Sequence, residues 1–357
     1  MADSAISSPA QGSRTGSLKG LPGTLRRAIR QQGWGIVGLP LVILAMVVYF
    51  ASRSDVFLTV TNSQNLARTL SAVALLAVGQ AFVILLGEID ISQGAVVGLV
   101  TVTTALAVEQ FGAVGLLAAP LTGAAVGLVN GTIVATFFVH SVIVTIGTLT
   151  VVRGLAFVIT GGQPVTGNFP RAFTWLGDGS IGPFPAPFVL AVIVIVGAAL
   201  VLRYTTLGPK LYATGGNEEA ARLAGLNIKQ IKIVAFLISG TLAGLAGMIL
   251  AARINSGQPN LGTGLELQAI AAAVVGGMAL SGGRGTIAGV ALGILVLTIL
   301  QNGLDITNVS SYWQQVISGV VILIAVVIDR LRDRPRRGRA PAEPAGPASG
   351  ATGAAPS

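Results

Sequence analysis

Charge is what this sequence has least of. Only 10% of its 357 residues are charged, against about 25% in an average soluble domain. Hydrophobic residues make up 52% of the chain and the mean hydropathy is +0.80. Such a chain cannot cover a water-facing surface, which excludes a cytosolic globular protein, a disordered chain and a nucleic-acid binder despite the net charge of +9. Cysteine is absent, so there are no disulfides, no thiolate nucleophile and no Cys-based metal site. His140 is the only histidine; a His cluster for a metal cannot be built, and any Ser-His-Asp triad would rest on that one residue. A phosphate-cradling GxxxxGK[ST] loop is missing too, since none of Lys19, Lys210, Lys229 and Lys232 follows that glycine pattern. No catalytic residue, metal or cofactor is expected, and any ATP would have to be hydrolysed by another subunit.

What the sequence does have is apolar runs long enough to cross a bilayer, which takes about 20 residues each. They are Gly35 to Ser52, Ala67 to Leu86, Ser92 to Val108, Gly112 to Val139, Ser141 to Thr160, Phe188 to Leu202, Ile231 to Ala252, Leu267 to Leu280, Ile287 to Leu300 and Trp313 to Ile328. The expected fold is an all-α integral membrane protein, a polytopic bundle of about ten transmembrane helices. Gly112 to Val139 reads as one extended span, divided from the next only by His140, and Gly161 to Pro187 reads as a Pro/Gly-rich loop holding Trp175. Arg14, Lys19, Arg26, Arg27 and Arg30 precede the first span, and Arg330, Arg332, Arg334, Arg336, Arg337 and Arg339 follow the last. The positive-inside rule then puts both termini in the cytoplasm, which needs an even span count. The organisation read from this is a basic arm over 1–33, a transmembrane domain over 34–329 with a cytoplasmic loop at about 203–230, and a basic, then disordered tail over 330–357. The first span is too long for a typical signal peptide and reads as retained.

Three segments stand out. Glycines at four-residue spacing, as in Gly123-x3-Gly127 and Gly240-x3-Gly244, allow close helix packing. Leu86-Gly-Glu-Ile-Asp-Ile-Ser-Gln-Gly94 puts Glu88 and Asp90 between two apolar runs with almost no room for a loop. Carboxylates at membrane depth face protein or a wet path; Asp90 or Ser92 could instead cap the next helix, whereas Glu88 has no such local role. A glycine-rich segment, Val275 to Gly285, also lies between paired apolar runs and suggests an internal pseudo-repeat. On the cytoplasmic side, Gly215-Gly216 precedes Asn217, a good N-cap. Glu218 and Glu219 suit a first helical turn, and Gly225 a C-terminal stop. Between them Ala220, Ala221, Leu223 and Ala224, with Arg222, give a short helix whose small apolar face fits a groove on a partner protein better than the lipid headgroups.

These residues together resemble the membrane-spanning permease subunits of bacterial ABC importers for simple sugars, the ribose and xylose type. The resemblance covers about Val60 to Asp329. It rests on Glu88-Ile-Asp-Ile-Ser92, Gly215-Gly-Asn-Glu-Glu-Ala-Ala-Arg-Leu-Ala-Gly225, Glu266-Leu-Gln-Ala-Ile-Ala-Ala with Gly276-Gly277, Ser281-Gly-Gly-Arg-Gly285, Asn302-Gly-Leu304 and Ser311-Tyr-Trp-Gln-Gln. It implies a second permease subunit, identical or not, a cytoplasmic ABC ATPase subunit, an extracytoplasmic sugar-binding protein, and the bacterial plasma membrane as location. It also implies that Gly216, Asn217, Glu218, Glu219, Ala220, Ala221, Arg222, Leu223 and Gly225 form the segment that couples to the ATPase. Two positions depart from the family pattern: Glu88, where Gly is frequent, and Gln268, where Asp is common.

A sugar pathway should be polar and largely uncharged. The candidates are Gln80, Glu88, Asp90, Gln93, Asn130, Thr148, Gln268 and Asn302, though uncharged polar groups within spans serve equally as glue between helices, worth under about 1 kcal/mol each. Arg153 lies within a span and requires an acidic or carbonyl partner unless it snorkels. The expected function is ATP-driven import of a monosaccharide, foremost a pentose such as ribose or xylose. The competing readings are a permease for autoinducer-2 or branched-chain amino acids, an ion-coupled secondary transporter using Glu88 and Asp90, and a membrane scaffold that transports nothing.

Overall fold

The computed structural model describes residues 35–167 and 169–332, so the readings made for the arm at 1–33 and for most of the tail at 330–357 lie outside the described residues. The described chain is helical apart from one two-stranded hairpin. In order it forms α1 (Gly35–Arg53), α2 (Val60–Ile84), α3 (Gln93–Phe111), a 3-10 turn (Gly112–Leu117), α4 (Ala118–Phe137), α5 (Ser141–Thr160), α6 (Arg171–Asp178), β1 (Ser180–Ile181), β2 (Phe184–Pro185) and α7 (Ala186–Tyr204). It continues through α8 (Leu207–Gly216), α9 (Glu218–Leu223), α10 (Ile228–Ile254), α11 (Leu265–Val275), α12 (Ile287–Ile306) and α13 (Ser311–Arg332).

Each expected span has its helix, with corrections at the edges. The run from Gly112 to Val139 holds one helix but not an extended one: the chain breaks at Gly112, at φ +61°, and the 3-10 turn folds back, so α4 begins only at Ala118. The boundary at His140 is real, made by Phe138 in the left-handed region at φ 54°. The run from Leu267 to Leu280 ends as helix at Val275, because the following glycines adopt turns, Gly277 at φ +89° among them. The stretch read as a loop before α7 holds α6 and the β1–β2 hairpin.

Helix α2 is buried around most of its circumference from Leu70 onward, as expected of an apolar helix at the centre of a bundle. Helix α10 packs beside it and lies against α4 backbone to backbone. A Cβ added at Gly131 would sit 2.8 Å from the Cα of Ile233, and one at Gly240 2.8 Å from the Cα of Gly127. Here the small-residue spacing is packing. Helices α5 and α7 turn long apolar side chains such as Ile143, Val158 and Ile193 outward, which suits hydrocarbon surroundings. The helical stretches α2, α3–α4, α5, α7, α10 and α12 are long and apolar enough to cross a membrane. The fold is a polytopic all-α membrane bundle.

Two helices start inside the bundle. After α2 the chain doubles back, so that Asp90 lies beside Gln80 and Gln93 donates to the carbonyl of Leu76 at 3.1 Å. Helix α3 therefore begins about two turns short of the α2 terminus, roughly 12 Å in at 1.5 Å per residue. After α10 the chain again returns in extended form along α3: Thr101 bonds the carbonyl of Gln258 at 2.8 Å, and Glu266 at the head of α11 abuts Gly94 at the head of α3. From there α3 runs toward the level of Ala252, where Val108 packs, while α11 leads to a loop bonded to Leu85 (Gly283 N–H to the Leu85 carbonyl, 2.9 Å). A full helix, an extended return and a helix begun in the interior thus occur twice, in opposite directions. The glycine-rich segment after Val275 is not the counterpart of Leu86–Gly94 but its neighbour.

Candidate functional site

At one end of the bundle, two loops and the last turn of α8 meet through glycines. A Cβ at Gly215 would strike the carbonyl of Leu85 and lie 2.6 Å from the amide nitrogen of Gly283; one at Gly87 would lie 3.2 Å from the carbonyl of Ser281. Tyr212 on α8 ties down the loop after α11, its hydroxyl donating to the carbonyl of Gly285 at 2.9 Å. Burial holds the phenol's pKa above its ordinary value, so it stays a donor. Helix α9 projects from this junction. Asn217 caps it by accepting the N–H of Ala220 at 2.9 Å, and Gly225 at φ +83° ends the turn that follows, as the sequence predicts.

The short helix has two faces. Ala221 is 5% exposed and turned toward the bundle, whereas Leu223 is 82% exposed, with Ala220 and Ala224 exposed beside it. The exposed apolar surface of α9 is therefore Ala220, Leu223 and Ala224, and Ala221 drops out of it. Arg222 pairs back to Glu218 at 3.1 Å and Glu219 at 3.6 Å. Glu88, which had no local role in the sequence, receives one here. Lys232 of α10 sits 2.8 Å from Glu88 and 3.0 Å from Glu218, joining the loop after α2 to α9. Beside this bridge lies a cavity of about 450 Å³, bordered by Thr136, Phe138, Arg222 and Lys229.

Deeper in, five of the expected pathway residues form one network, buried but for the half-buried Thr148. Asp90 accepts from the Ser92 hydroxyl at 2.6 Å and N–H at 3.0 Å, and from the Ser239 hydroxyl at 2.7 Å. Gln93 donates to Ser239 at 2.9 Å, Asn130 to Ser92 at 2.9 Å, and Thr148 to Asn130 at 2.6 Å. The Gln80 amide is satisfied with its nitrogen on the Asp90 carbonyl and its oxygen on the Asp90 N–H, both at 3.1 Å. Gln80, Gln93 and Asn130 are fully buried and Asp90 is 1% exposed. The network locks the head of α3 to α2, α4, α5 and α10; none of these four faces an open path.

The remaining candidates separate. Asn302 forms a reciprocal amide pair with Asn62, at 3.0 and 2.9 Å. Arg153 donates to the carbonyls of Pro259 and Leu261, both at 3.0 Å, and so fixes the extended return against α3. Gln268 borders a narrow cleft with Gln301 and Ser318. Sequence reasoning passed over Lys232, Ser239, Asn62, Gln301 and Ser318. Lys232 could have been found as a lysine one turn inside a span with unpaired carboxylates nearby; a lone Ser239 or Gln301 inside a span carries no signal of what it faces.

A family model described as "Branched-chain amino acid transport system / permease component" matches residues 62–326. Among curated proteins, the ribose import permease protein RbsC of Escherichia coli (strain K12) is 41% identical over 294 residues, 81% of this chain and 92% of the relative. The L-arabinose ABC transporter permease protein AraH of Azospirillum brasilense is 37% identical over 309 residues, 85% of this chain and 91% of the relative. RbsC of Bacillus subtilis (strain 168) is 40% identical over 295 residues, 82% and 91%. No solved structure matches.

Proposed function

The chain belongs to the branched-chain amino acid transport system permease family, and from that premise we propose that it is the translocation subunit of an ATP-driven importer for a pentose. It is a multi-pass membrane protein. Relatives named for ribose and L-arabinose weigh toward a pentose over an amino acid. Hydrolysis belongs to a separate ATPase subunit, and delivery to a binding protein on the outer side. The charge bias puts the α8–α9 end, both termini and the three-glycine junction in the cytoplasm.

The observation that carries this reading is the division of α9 into an inward anchor and an outward apolar face. Ala220, Leu223, which is 82% exposed, and Ala224 make one contiguous apolar face on a short capped helix, the kind of surface a protein partner covers. Movement of a protein gripping that face passes through the Glu218–Lys232–Glu88 bridge to the loop after α2, and through Gly215 to the loop after α11. Both loops adjoin helices that start or end inside the bundle, so tilting them changes which end of the pathway opens. The polar network around Asp90 keeps the head of α3 rigid meanwhile.

The test is uptake of labelled ribose, arabinose and xylose into vesicles containing this chain, with and without ATPase and binding protein. Uptake that requires every component and ATP is expected. Uptake by the chain alone, collapsing with an uncoupler, would overturn the proposal in favour of ion coupling.

A further inference from the structure

With Gln80, Asp90, Gln93, Asn130, Thr148, Asn302 and Arg153 all held by protein partners, the pathway must be sought elsewhere. Amides and hydroxyls at membrane depth are costly when unpaired, so those left over are informative. The side chains of Gln268 on α11, Gln301 on α12 and Ser318 on α13 find no hydrogen-bonding partner among the described residues. They come from three helices, yet they converge on one cleft, whose remaining lining is Ala271, Leu297 and Leu300. All three are partly exposed. Beyond them α13 presents an apolar stripe, Val316, Val320, Leu323 and Val327, between 47% and 66% exposed. The polar cleft is therefore a local exception on an apolar surface.

From this geometry we propose that Gln268, Gln301 and Ser318 are the side chains that bond the transported solute, an uncharged polyhydroxylated molecule. The proposal rests on the transport reading above. Each glutamine offers one carbonyl acceptor and two N–H donors, and the serine hydroxyl does both. Such a set matches sugar hydroxyls, which also donate and accept, and it lacks the fixed charge that would hold an ionic ligand. In the conformation described, the cleft admits about one water-sized group, room for a hydroxyl and not for a ring. It is the closed form of the path, which widens as α11 and α12 part. Gln268 then serves by hydrogen bonding alone, without the charge of the Asp common at that position.

The absence of cysteine makes the test direct. Single variants Gln268→Cys, Gln301→Cys and, on the apolar stripe, Val320→Cys are reconstituted in vesicles with ATPase and binding protein. They are then treated with a cationic, membrane-impermeant methanethiosulfonate reagent. Thiol modification needs water to form thiolate. The variants at 268 and 301 should react about tenfold faster than the variant at 320, faster still during ATP turnover; each should already take up less ribose than the variant at 320, and modification should stop what uptake remains. Excess ribose with binding protein and ATP should slow the reaction. If the unsubstituted chain transports while the variants at 268 and 301 react no faster than the one at 320, the assignment is overturned. Spontaneous cross-linking of two copies through position 301 with no reagent access would overturn it equally, making the cleft a contact between copies. A chain that shows no ATP-driven uptake before substitution refutes instead the transport reading on which the proposal rests.

Discussion

Lys232 is the residue whose loss tests the coupling argument most sharply. Its ammonium lies 2.8 Å from Glu88, and the two side chains are 12% and 14% exposed. At an effective dielectric near 20, that separation corresponds to about 6 kcal/mol of gross attraction, most of it cancelled by the desolvation of both groups. Lys232→Met leaves the Glu88 carboxylate largely buried without its cation, and deletions of this kind cost about 3–5 kcal/mol. The lower end is expected, because the neighbouring cavity admits water and Glu218, 37% exposed, is already partly solvated. Adding Glu88→Gln removes the stranded charge and should restore stability to within about 1 kcal/mol, since a neutral replacement of a buried pair is often tolerated. Transport should not recover with it. The double variant keeps the Ala220–Leu223–Ala224 face but has lost the link from Glu218 to the loop after α2. ATPase subunits should co-purify at normal yield while ribose uptake per ATP hydrolysed falls by about tenfold, equivalent to 1.4 kcal/mol of coupling. The assays are thermal unfolding in detergent and paired uptake and hydrolysis rates in vesicles. Equal thermal stability of Lys232→Met and the parent would refute the electrostatic argument. Full uptake by the double variant would refute the mechanical one.

The other predictions follow the same geometry. Leu223→Glu should abolish capture of the ATPase and leave the unfolding temperature unchanged, whereas Ala221→Glu, at a site 5% exposed, should lower stability by several kcal/mol for a buried charge; equal stability of the two would reverse the assignment of faces. Asp90→Asn keeps the shape but turns an NH2 toward the hydroxyls of Ser92 or Ser239, and should cost about 2–3 kcal/mol, the worth of hydrogen bonds to a charged acceptor, read as a lower melting temperature with retained insertion. Gly215→Ala should block assembly, because its Cβ meets the backbone at Leu85 and Gly283, while Gly216→Ala, with nothing within 4 Å, should be tolerated; a well-expressed, active Gly215→Ala would remove the three-glycine junction from the mechanism.

Hydropathy made most of the fold legible, because each helix that crosses must be apolar along its whole length and the sequence records this residue by residue. Where it misled, the cause was a backbone event that apolar residues do not announce: the 3-10 turn over Gly112–Leu117 that delays α4, and Gly277 at φ +89° cutting α11 short. The capping of α9 was legible because Asn217, Glu218, Glu219 and Gly225 act within one or two turns of each other. The faces of α9 were not, since Ala220 and Ala221 are chemically identical and only the bundle beneath separates them. Polar residues within spans stand out in the sequence as a group, but each needs a partner from another helix. Asp90 to Ser239 and Asn62 to Asn302 are such pairs, and a single sequence contains no statement of them.

That limitation explains how the candidate site came to be redistributed. Sequence reasoning ranks a polar residue by the cost of placing it in hydrocarbon, and on that scale Asp90 and Arg153 stand highest. The same cost ensures that a folded chain satisfies such residues first. Asp90 accepts three hydrogen bonds and Arg153 holds two carbonyls of the extended return. The residues most conspicuous in the sequence are thus the ones most committed to holding the structure. A solute that must bind and then leave needs contacts the protein can afford to leave empty between cycles. Neutral amides and a hydroxyl at a partly exposed cleft meet that condition, because a single water replaces the solute at little cost. A buried carboxylate or guanidinium does not, because parting it from its partners would cost several kcal/mol at every turnover.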